Sequence, residues 1–262
     1  MSGPRESLFR AVLDDPDAEA PRAAFAKWLD GQGDPQGEFI RLQLDASRER
    51  RTRGQSEGYH RLVEAADEIR KRHGRDWSRA VEAIAPEPRF YRGFAEGVTM
   101  DARQFIARAD DLYRAAPVRH VYLTGAKDVV DELSASPHLA RLVSLGLRNN
   151  ALGDDEVRTI VASPHIARLR LLDLAFNDIG LAGLEALSAT KSLPNLVHLN
   201  IVGNRVDDPR EQFGEDWMTG RIVPESIVLP ELGRQLEAKY GPKPWLHGAS
   251  LLREYPPGEE DF

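Results

Sequence analysis

Apolar residues recur in a fixed pattern between Val118 and Val206, and each copy of the pattern ends on the same polar residue. A full copy has apolar residues at its first, fourth and sixth positions and asparagine at its ninth. Successive full copies start 27 residues apart, at Leu142, Leu169 and Leu196, and end at Asn150, Asn177 and Asn204. A constant period of this length predicts repeated supersecondary units that stack on one another.

The segments between these copies carry apolar residues at helical spacing. They return after the same 27 residues, because Val157, Ile160 and Ile166 are followed by Leu184, Leu187 and Leu193. Strand, turn and helix in this order are the leucine-rich repeat pattern. The predicted fold class is therefore α/β: a short leucine-rich repeat solenoid, with parallel strands on the concave side and helices on the convex side, behind an N-terminal all-α domain.

The repeated asparagines have a predicted structural role. Stacked turns bury backbone N–H and C=O groups, and one amide side chain can both donate to and accept from such groups. Asn150, Asn177 and Asn204 are therefore expected to form a ladder along the repeats. An earlier copy starts at Val118, only 24 residues before Leu142, and has Ala126 where the others have asparagine.

Pattern and composition divide the chain into five predicted segments. These are a helical domain over 1–46, a helical extension over 47–92, a first, capping repeat over 93–117 with a strand near 98–100, the leucine-rich repeats over 118–206, and a C-terminal cap with an acidic tail over 207–262. Apolar residues between Phe213 and Leu232 are expected to seal the far end of the repeats. Pro224 and Pro230 bracket a predicted extended run, and Trp245 with Leu246 is expected to pack back on the chain.

Several short motifs near the N-terminus resemble a known module. They are Asp15-Pro16-Asp17, Ala20-Pro21-Arg22, Trp28-Leu29, the run from Gly33 to Gln43, and Gly93-Phe94-x-Glu96-Gly97-Val98-Thr99. These motifs are similar to those of the bacterial repeat-companion domain, a short N-terminal module that typically precedes repeat arrays. The resemblance implies an architecture and no general activity.

Composition narrows the classes of function. The 262 residues contain no cysteine and have a formal net charge of −7, which disfavours thiolate metal sites and general nucleic-acid binding. Without a secretion signal or a membrane-spanning stretch, the chain is expected to be cytoplasmic with no membrane partner. One segment, 48–79, has ten basic and six acidic residues. It is either a solvated helical face or a weak nucleic-acid site through Arg48, Arg50, Arg51 and Arg53.

Equivalent strand positions in the repeats stack in columns about 4.8 Å apart, and this spacing tests for an active site. Ser144, Asp173 and His198 have the residue types of a hydrolytic triad. Ser144 and His198 are two strands apart, however, at roughly 10 Å, too far for proton transfer. His120 and His198 are separated by about 14 Å on the same reckoning, too far to share a metal ion. No catalytic, cofactor or metal site is predicted, and a small-molecule substrate is disfavoured.

The remaining prediction is a non-enzymatic protein–protein interaction module, an adaptor or regulator whose partner is another protein. A rigid face with mixed aromatic, charged and amide groups suits protein recognition, because little ordering entropy is lost on contact. The predicted partner-binding residues are His120, Tyr122, Arg148, Asp173, Phe176, His198 and Asn200. An inhibitor or immunity protein that blocks a partner enzyme is an alternative that rests on analogy of fold alone.

Overall fold

The computed structural model describes residues 3–207 and 230–246. Contacts divide these residues into two compact units, which we treat separately. Unit 1 comprises residues 3–99 and 110–119, and unit 2 comprises residues 100–109, 120–207 and 230–246. Within the described ranges, no helix has both the length and the apolar character needed to cross a bilayer.

Four helices form most of unit 1: α1 (Pro4–Asp14), α2 (Glu19–Gly31), α3 (Gln36–Arg53) and α4 (Glu57–Glu82). Asp34 caps α3, because its carboxylate accepts from the Gln36 N–H at 3.0 Å, and Ser56 caps α4 by accepting from the Tyr59 N–H at 3.1 Å. Helix α3 passes without interruption through residue 46, where the sequence analysis places a boundary. The core of these helices contains Val12, Phe25, Ala26, Leu29, Ile40 and Leu44.

A β-hairpin follows the helices of unit 1. Strands β1 (Arg89–Tyr91) and β2 (Phe94–Asp101) pair antiparallel across a turn at Arg92 and Gly93, with φ angles of 47° and 92°. Two positive φ angles are what a type I′ turn requires. An added Cβ on Gly93 would lie 2.4 Å from Ile40 Cγ1, so only glycine allows α3 to approach this closely. The predicted helical extension over 47–92 therefore ends in a strand, and the strand expected near 98–100 starts at Phe94.

Three arginines surround one buried carboxylate in unit 1. Glu96 and Arg22 are both 0% exposed, and Arg22 Nη1 lies 2.6 Å from Glu96 Oε1. Arg92 Nη2 donates to Glu96 Oε2 at 2.8 Å, and Arg119 Nη1 lies 3.8 Å from the same oxygen. Burial lowers the pKa of Arg22 to about 10, while the charge of Glu96 opposes this shift. Glu96 is thus the counter-ion that keeps these cations stable in the interior.

The repeats form unit 2. After helix α5 (Ala102–Ala115), strands and helices alternate as β3 (His120–Thr124), α6 (Val130–Ala135), β4 (Ser144–Gly146), α7 (Asp154–Val161), β5 (Leu171–Asp173), α8 (Leu181–Ala189) and β6 (His198–Asn200). Strands β3 to β6 pair in parallel, each with the next, and residues 27 apart are partners from β4 onward. The predicted order of strand, turn and helix is confirmed.

The predicted asparagine ladder is also confirmed. Asn177 Oδ1 accepts from the backbone N–H of Asn150 at 2.9 Å and of Leu152 at 3.1 Å, and its Nδ2 donates to Leu147 and Leu174 carbonyls. Asn150 and Asn204 repeat this arrangement in their own turns, accepting from Ala126 and Ile179 respectively. Each amide thereby joins two successive repeats.

A second ladder lies at the other end of the helices. Ser163 Oγ donates to the Ser134 carbonyl at 2.5 Å, and Thr190 Oγ1 donates to the Val161 carbonyl at 2.9 Å. Asp154 adds a third link, because its carboxylate accepts from Gly180 N at 2.8 Å at the start of α8. The sequence analysis assigns Asp154 a capping role; its side chain caps the helix of the next repeat.

Residues after the repeats partly follow expectation. Trp245 and Leu246 are buried, which confirms that they pack back on the chain. Helix α9 (Pro230–Tyr240) packs on α8, with Lys239 Nζ 3.0 Å from Glu185 Oε1. Pro230 therefore begins a helix, as its fixed φ allows. Phe213, Pro224 and most of the predicted extended run, like the acidic tail, lie outside the described residues.

Asn177→Ala should destabilise the repeats by roughly 1 to 3 kcal/mol, because buried N–H and C=O groups lose their partners. Urea unfolding followed by circular dichroism measures this loss. Asn195→Ala is the matched control, since Asn195 is exposed and donates only to the Ala167 carbonyl among the bonds of the described residues. Equal unfolding free energies for the two variants would contradict the ladder.

Glu96→Gln should lower the free energy of unfolding by about 3 to 5 kcal/mol, because the change keeps the shape and leaves buried Arg22 without its counter-ion. Glu68→Gln, which removes an exposed partner of Lys71, should cause no measurable change. Both variants can be compared by urea denaturation. A stability of Glu96→Gln equal to that of the native chain would show that the cluster is not stabilised by charge.

Candidate functional site

The strand register places the predicted surface residues in two columns. His120, Ser144, Leu171 and His198 are successive partners across β3 to β6, and Tyr122, Gly146, Asp173 and Asn200 are partners in the same way. The columns are those that the 27-residue period predicts. Arg148 and Phe176 belong to the turns that follow β4 and β5.

Accessibility divides the seven predicted partner-binding residues. Phe176 is 46% exposed and Arg148 is exposed, while Tyr122, His198 and Asn200 are half-buried. His120 and Asp173 are only 2% exposed, so the expectation that they are displayed on the surface is wrong. Strand alternation fixes the face to which a side chain points, but neighbouring side chains decide whether water reaches it. We define the recognition face as Tyr122, Arg148, Phe176, His198 and Asn200.

Phe176 and Arg148 form the exposed centre of this face. The guanidinium carbon of Arg148 lies 4.4 Å from the centroid of the Phe176 ring, which is a cation–π contact. The ring also lies against the following turn, since a Cβ added to Gly203 would be 2.6 Å from Phe176 Cδ1. Contacts on both sides hold the ring in place while nearly half of the residue stays accessible.

The backbone of Phe176 has an unusual conformation for an aromatic residue. Its φ is +54°, and the equivalent turn positions one repeat before and after, Asn149 and Gly203, have φ of +57° and +73°. Asparagine and glycine tolerate this left-handed region, whereas most other residues lose about 1 to 2 kcal/mol there. Phe176 thus occupies a turn position for which the fold alone favours a small residue.

Asp173 lies beneath this face and connects its parts. Its Oδ1 accepts from the Ala175 N–H at 2.9 Å, and the Tyr122 hydroxyl donates to its carboxylate. Burial raises the pKa of Asp173, against the backbone bond from Ala175, the charge of Arg148 and the bond from Tyr122. Tyr122 covers Gly146, where a Cβ would lie 2.3 Å from the ring. A buried carboxylate therefore orients two residues of the recognition face.

The geometry does not assemble a hydrolytic site from the candidate triad. Leu171 on β5 separates Ser144 from His198, so the two are about 10 Å apart by strand spacing. Ser144 is also fully buried, and a nucleophile must meet its substrate. In the part of the chain that the structure describes, no group of three or more histidine, aspartate or glutamate residues could hold a metal ion.

The arginines of the basic segment are held by unit 1 itself. Arg48 Nε and Arg51 Nη2 lie 2.9 and 2.7 Å from the two carboxylate oxygens of Glu19. Arg53 pairs with Glu49 at 3.3 Å, and the Arg50 guanidinium lies 5.5 Å from the Tyr59 ring centroid. A phosphate group would have to compete with these contacts, which favours the solvated helical face over nucleic-acid binding.

Comparison with known proteins supports the repeat assignment over a short range. A family described as Leucine Rich repeat matches residues 168–188, which contain β5 and nearly all of α8. No curated protein and no solved structure matches the chain. The matched motif indicates a protein-interaction module of a kind that is typically non-enzymatic.

Asp173→Asn should change how stability depends on pH. Because the pKa of Asp173 is raised in the folded state, the native chain binds this proton more tightly than the unfolded chain does. Native stability therefore falls as pH rises from the ordinary aspartate pKa of 3.8 through the raised value. The variant lacks this titration, so its unfolding free energy should gain on that of the native chain across the same range. Urea unfolding at pH 4, 5, 6 and 7 tests this, and parallel curves would contradict it.

Proposed function

We propose that the chain is a non-enzymatic adaptor or regulator that holds another protein on the recognition face of its repeats, with Phe176 and Arg148 as the main contacts. The observation that carries the proposal is the aromatic ring at a left-handed turn position. Neighbouring repeats use Asn149 and Gly203 there, so Phe176 costs stability that folding does not require. Residues held in strained conformations are concentrated at binding sites, where the strain has a functional use.

The chemistry of the face suits a protein partner. Aromatic and arginine side chains dominate the energy of protein interfaces, and the face presents both in contact with each other. Tyr122, His198 and Asn200 surround this pair with groups that can donate or accept hydrogen bonds. His120 and Asp173 contribute from below, as supports of the face. The asparagine ladder holds the strands in a fixed register, so binding requires little ordering of the backbone.

We further propose that unit 1 contains a repeat-companion domain at the start of a leucine-rich repeat solenoid. The motifs that resemble this module come from distant parts of the sequence, yet they meet in one place. Arg22 Nη2 and Arg92 Nη2 both donate to the Pro16 carbonyl, at 2.6 and 3.0 Å, and both contact Glu96. Shared contacts among separate motif residues support the view that the motifs belong to one structural module.

Phe176→Asn separates binding from folding. We expect an unfolding free energy equal to or above that of the native chain, because asparagine tolerates the left-handed turn. Partner capture should be abolished, since the central ring and its contact with Arg148 are lost. The measurements are urea unfolding and affinity capture from the native host, read by mass spectrometry.

The triple variant Tyr122→Ala, Arg148→Ala and Phe176→Ala should also fold and lose the partner. Arg158→Ala, an exposed change on α7 whose side chain pairs with Asp155 rather than with the recognition face, is the matched control and should retain capture. Undiminished capture by Phe176→Asn and by the triple variant would reject the proposal. One tight partner enzyme would favour an inhibitor over an adaptor that binds several proteins.

A further inference from the structure

A cavity of about 430 Å³ lies within unit 1, separate from the recognition face. Pockets that bind small molecules typically have volumes of about 300 to 1,000 Å³, walls that are mostly apolar, and a few polar groups. The walls here contain five aromatic rings: Phe9, Phe25, Trp77, Phe90 and Phe94. These residues come from two helices of the N-terminal region, from α4 and from both strands of the hairpin.

The rings form two groups. Phe9, Phe25 and Phe94 have centroids 5.9 to 6.1 Å apart, and Trp77 and Phe90 make an edge contact at 6.5 Å. Aromatic faces carry negative electrostatic potential and attract cations, most strongly when the cation is shielded from water. Phe94 already shows this property, because the Arg22 guanidinium carbon lies 5.1 Å from its centroid.

The polar lining of the cavity is acidic on balance. Glu6 and Asp76 contribute two carboxylates and Arg5 one guanidinium, for a formal sum of −1. Arg5 lies 4.0 Å from Asp34, and Asp76 is 2.5 Å from Arg79, so both of these charges have partners. Glu6 has no ion pair or hydrogen-bonded side chain among the residues the structure describes. A cation in the cavity would find both π faces and an available carboxylate, whereas an anion would meet neither.

We propose that this cavity binds a small organic cation, a quaternary or alkylated ammonium group. Its methyl groups would contact the Phe9, Trp77 and Phe94 rings, and its charge would lie toward Glu6. Such a group offers the combination that the lining calls for, since it is apolar in shape and positively charged. The inference is independent of the proposed function, because no residue of the recognition face lines the cavity.

Choline and its neutral isostere 3,3-dimethylbutan-1-ol provide a direct test, because they differ mainly in charge. Isothermal titration of the full chain, with sodium chloride matching the ionic strength of choline chloride, measures both affinities. We expect choline to bind at least about tenfold more tightly than the isostere. Equal binding of the two compounds, or binding of the isostere alone, would show a purely apolar cavity and overturn the proposal, as would no binding of either.

Paired variants locate the bound cation. Glu6→Gln, an exposed change that leaves the core intact, and Trp77→Leu should each weaken choline binding by about fivefold or more. Glu38→Gln and Trp28→Leu are the matched controls, because neither residue lines the cavity, and both should bind as the native chain does. Quenching of tryptophan fluorescence by choline should also disappear in Trp77→Leu. Equal weakening in Glu6→Gln and Glu38→Gln would place the cation elsewhere and refute the assignment.

Discussion

The buried backbone of the repeat turns must find hydrogen-bond partners, and the rest of unit 2 follows from how it does so. Leaving such N–H and C=O groups unpaired costs about 1 to 3 kcal/mol each. Asn177 alone satisfies two N–H groups and more than one carbonyl, and it joins the turn of β4 to that of β5. The same residue must therefore return at the same phase in each repeat. This requirement fixes the 27-residue period and, with it, the register of the strands.

That register in turn limits what the sheet can do. Residues at equivalent positions are held one strand spacing apart, so polar groups on alternate strands cannot reach each other for proton transfer. The same rigidity favours recognition, because a face that is already ordered loses little entropy on binding. The fold leaves freedom only where the ladder does not reach. Turn positions such as that of Phe176 can change without loss of the asparagine bonds, and there the chain departs from the residue that stability prefers.

Sequence pattern predicts the repeats well because stacking imposes a period that can be counted. It predicts the hairpin of unit 1 poorly, since Arg92 takes a positive φ at a turn position where asparagine or glycine would have been an evident signal. Side-chain contacts from Arg92 to Glu96 and to backbone carbonyls stabilise this turn, and such contacts have no local signature. Of the candidate site, the columns could be predicted, but the burial of His120 and Asp173 could not. The aromatic cavity escapes sequence analysis altogether, because its walls come from segments far apart along the chain.

The two candidate binding regions differ in where their cations already lie. On the recognition face, Arg148 covers one side of the Phe176 ring, so the face presents its own positive charge and suits a partner with acidic or hydrogen-bonding groups. In unit 1, Arg22 occupies a face of Phe94, and Glu96 neutralises that arginine in the interior. The other rings of the cavity have no such resident cation among the contacts of the described residues, while Glu6 retains its charge nearby. Identical ring chemistry thus leads to opposite ligand preferences, because the protein supplies the cation in one region and leaves it to the ligand in the other.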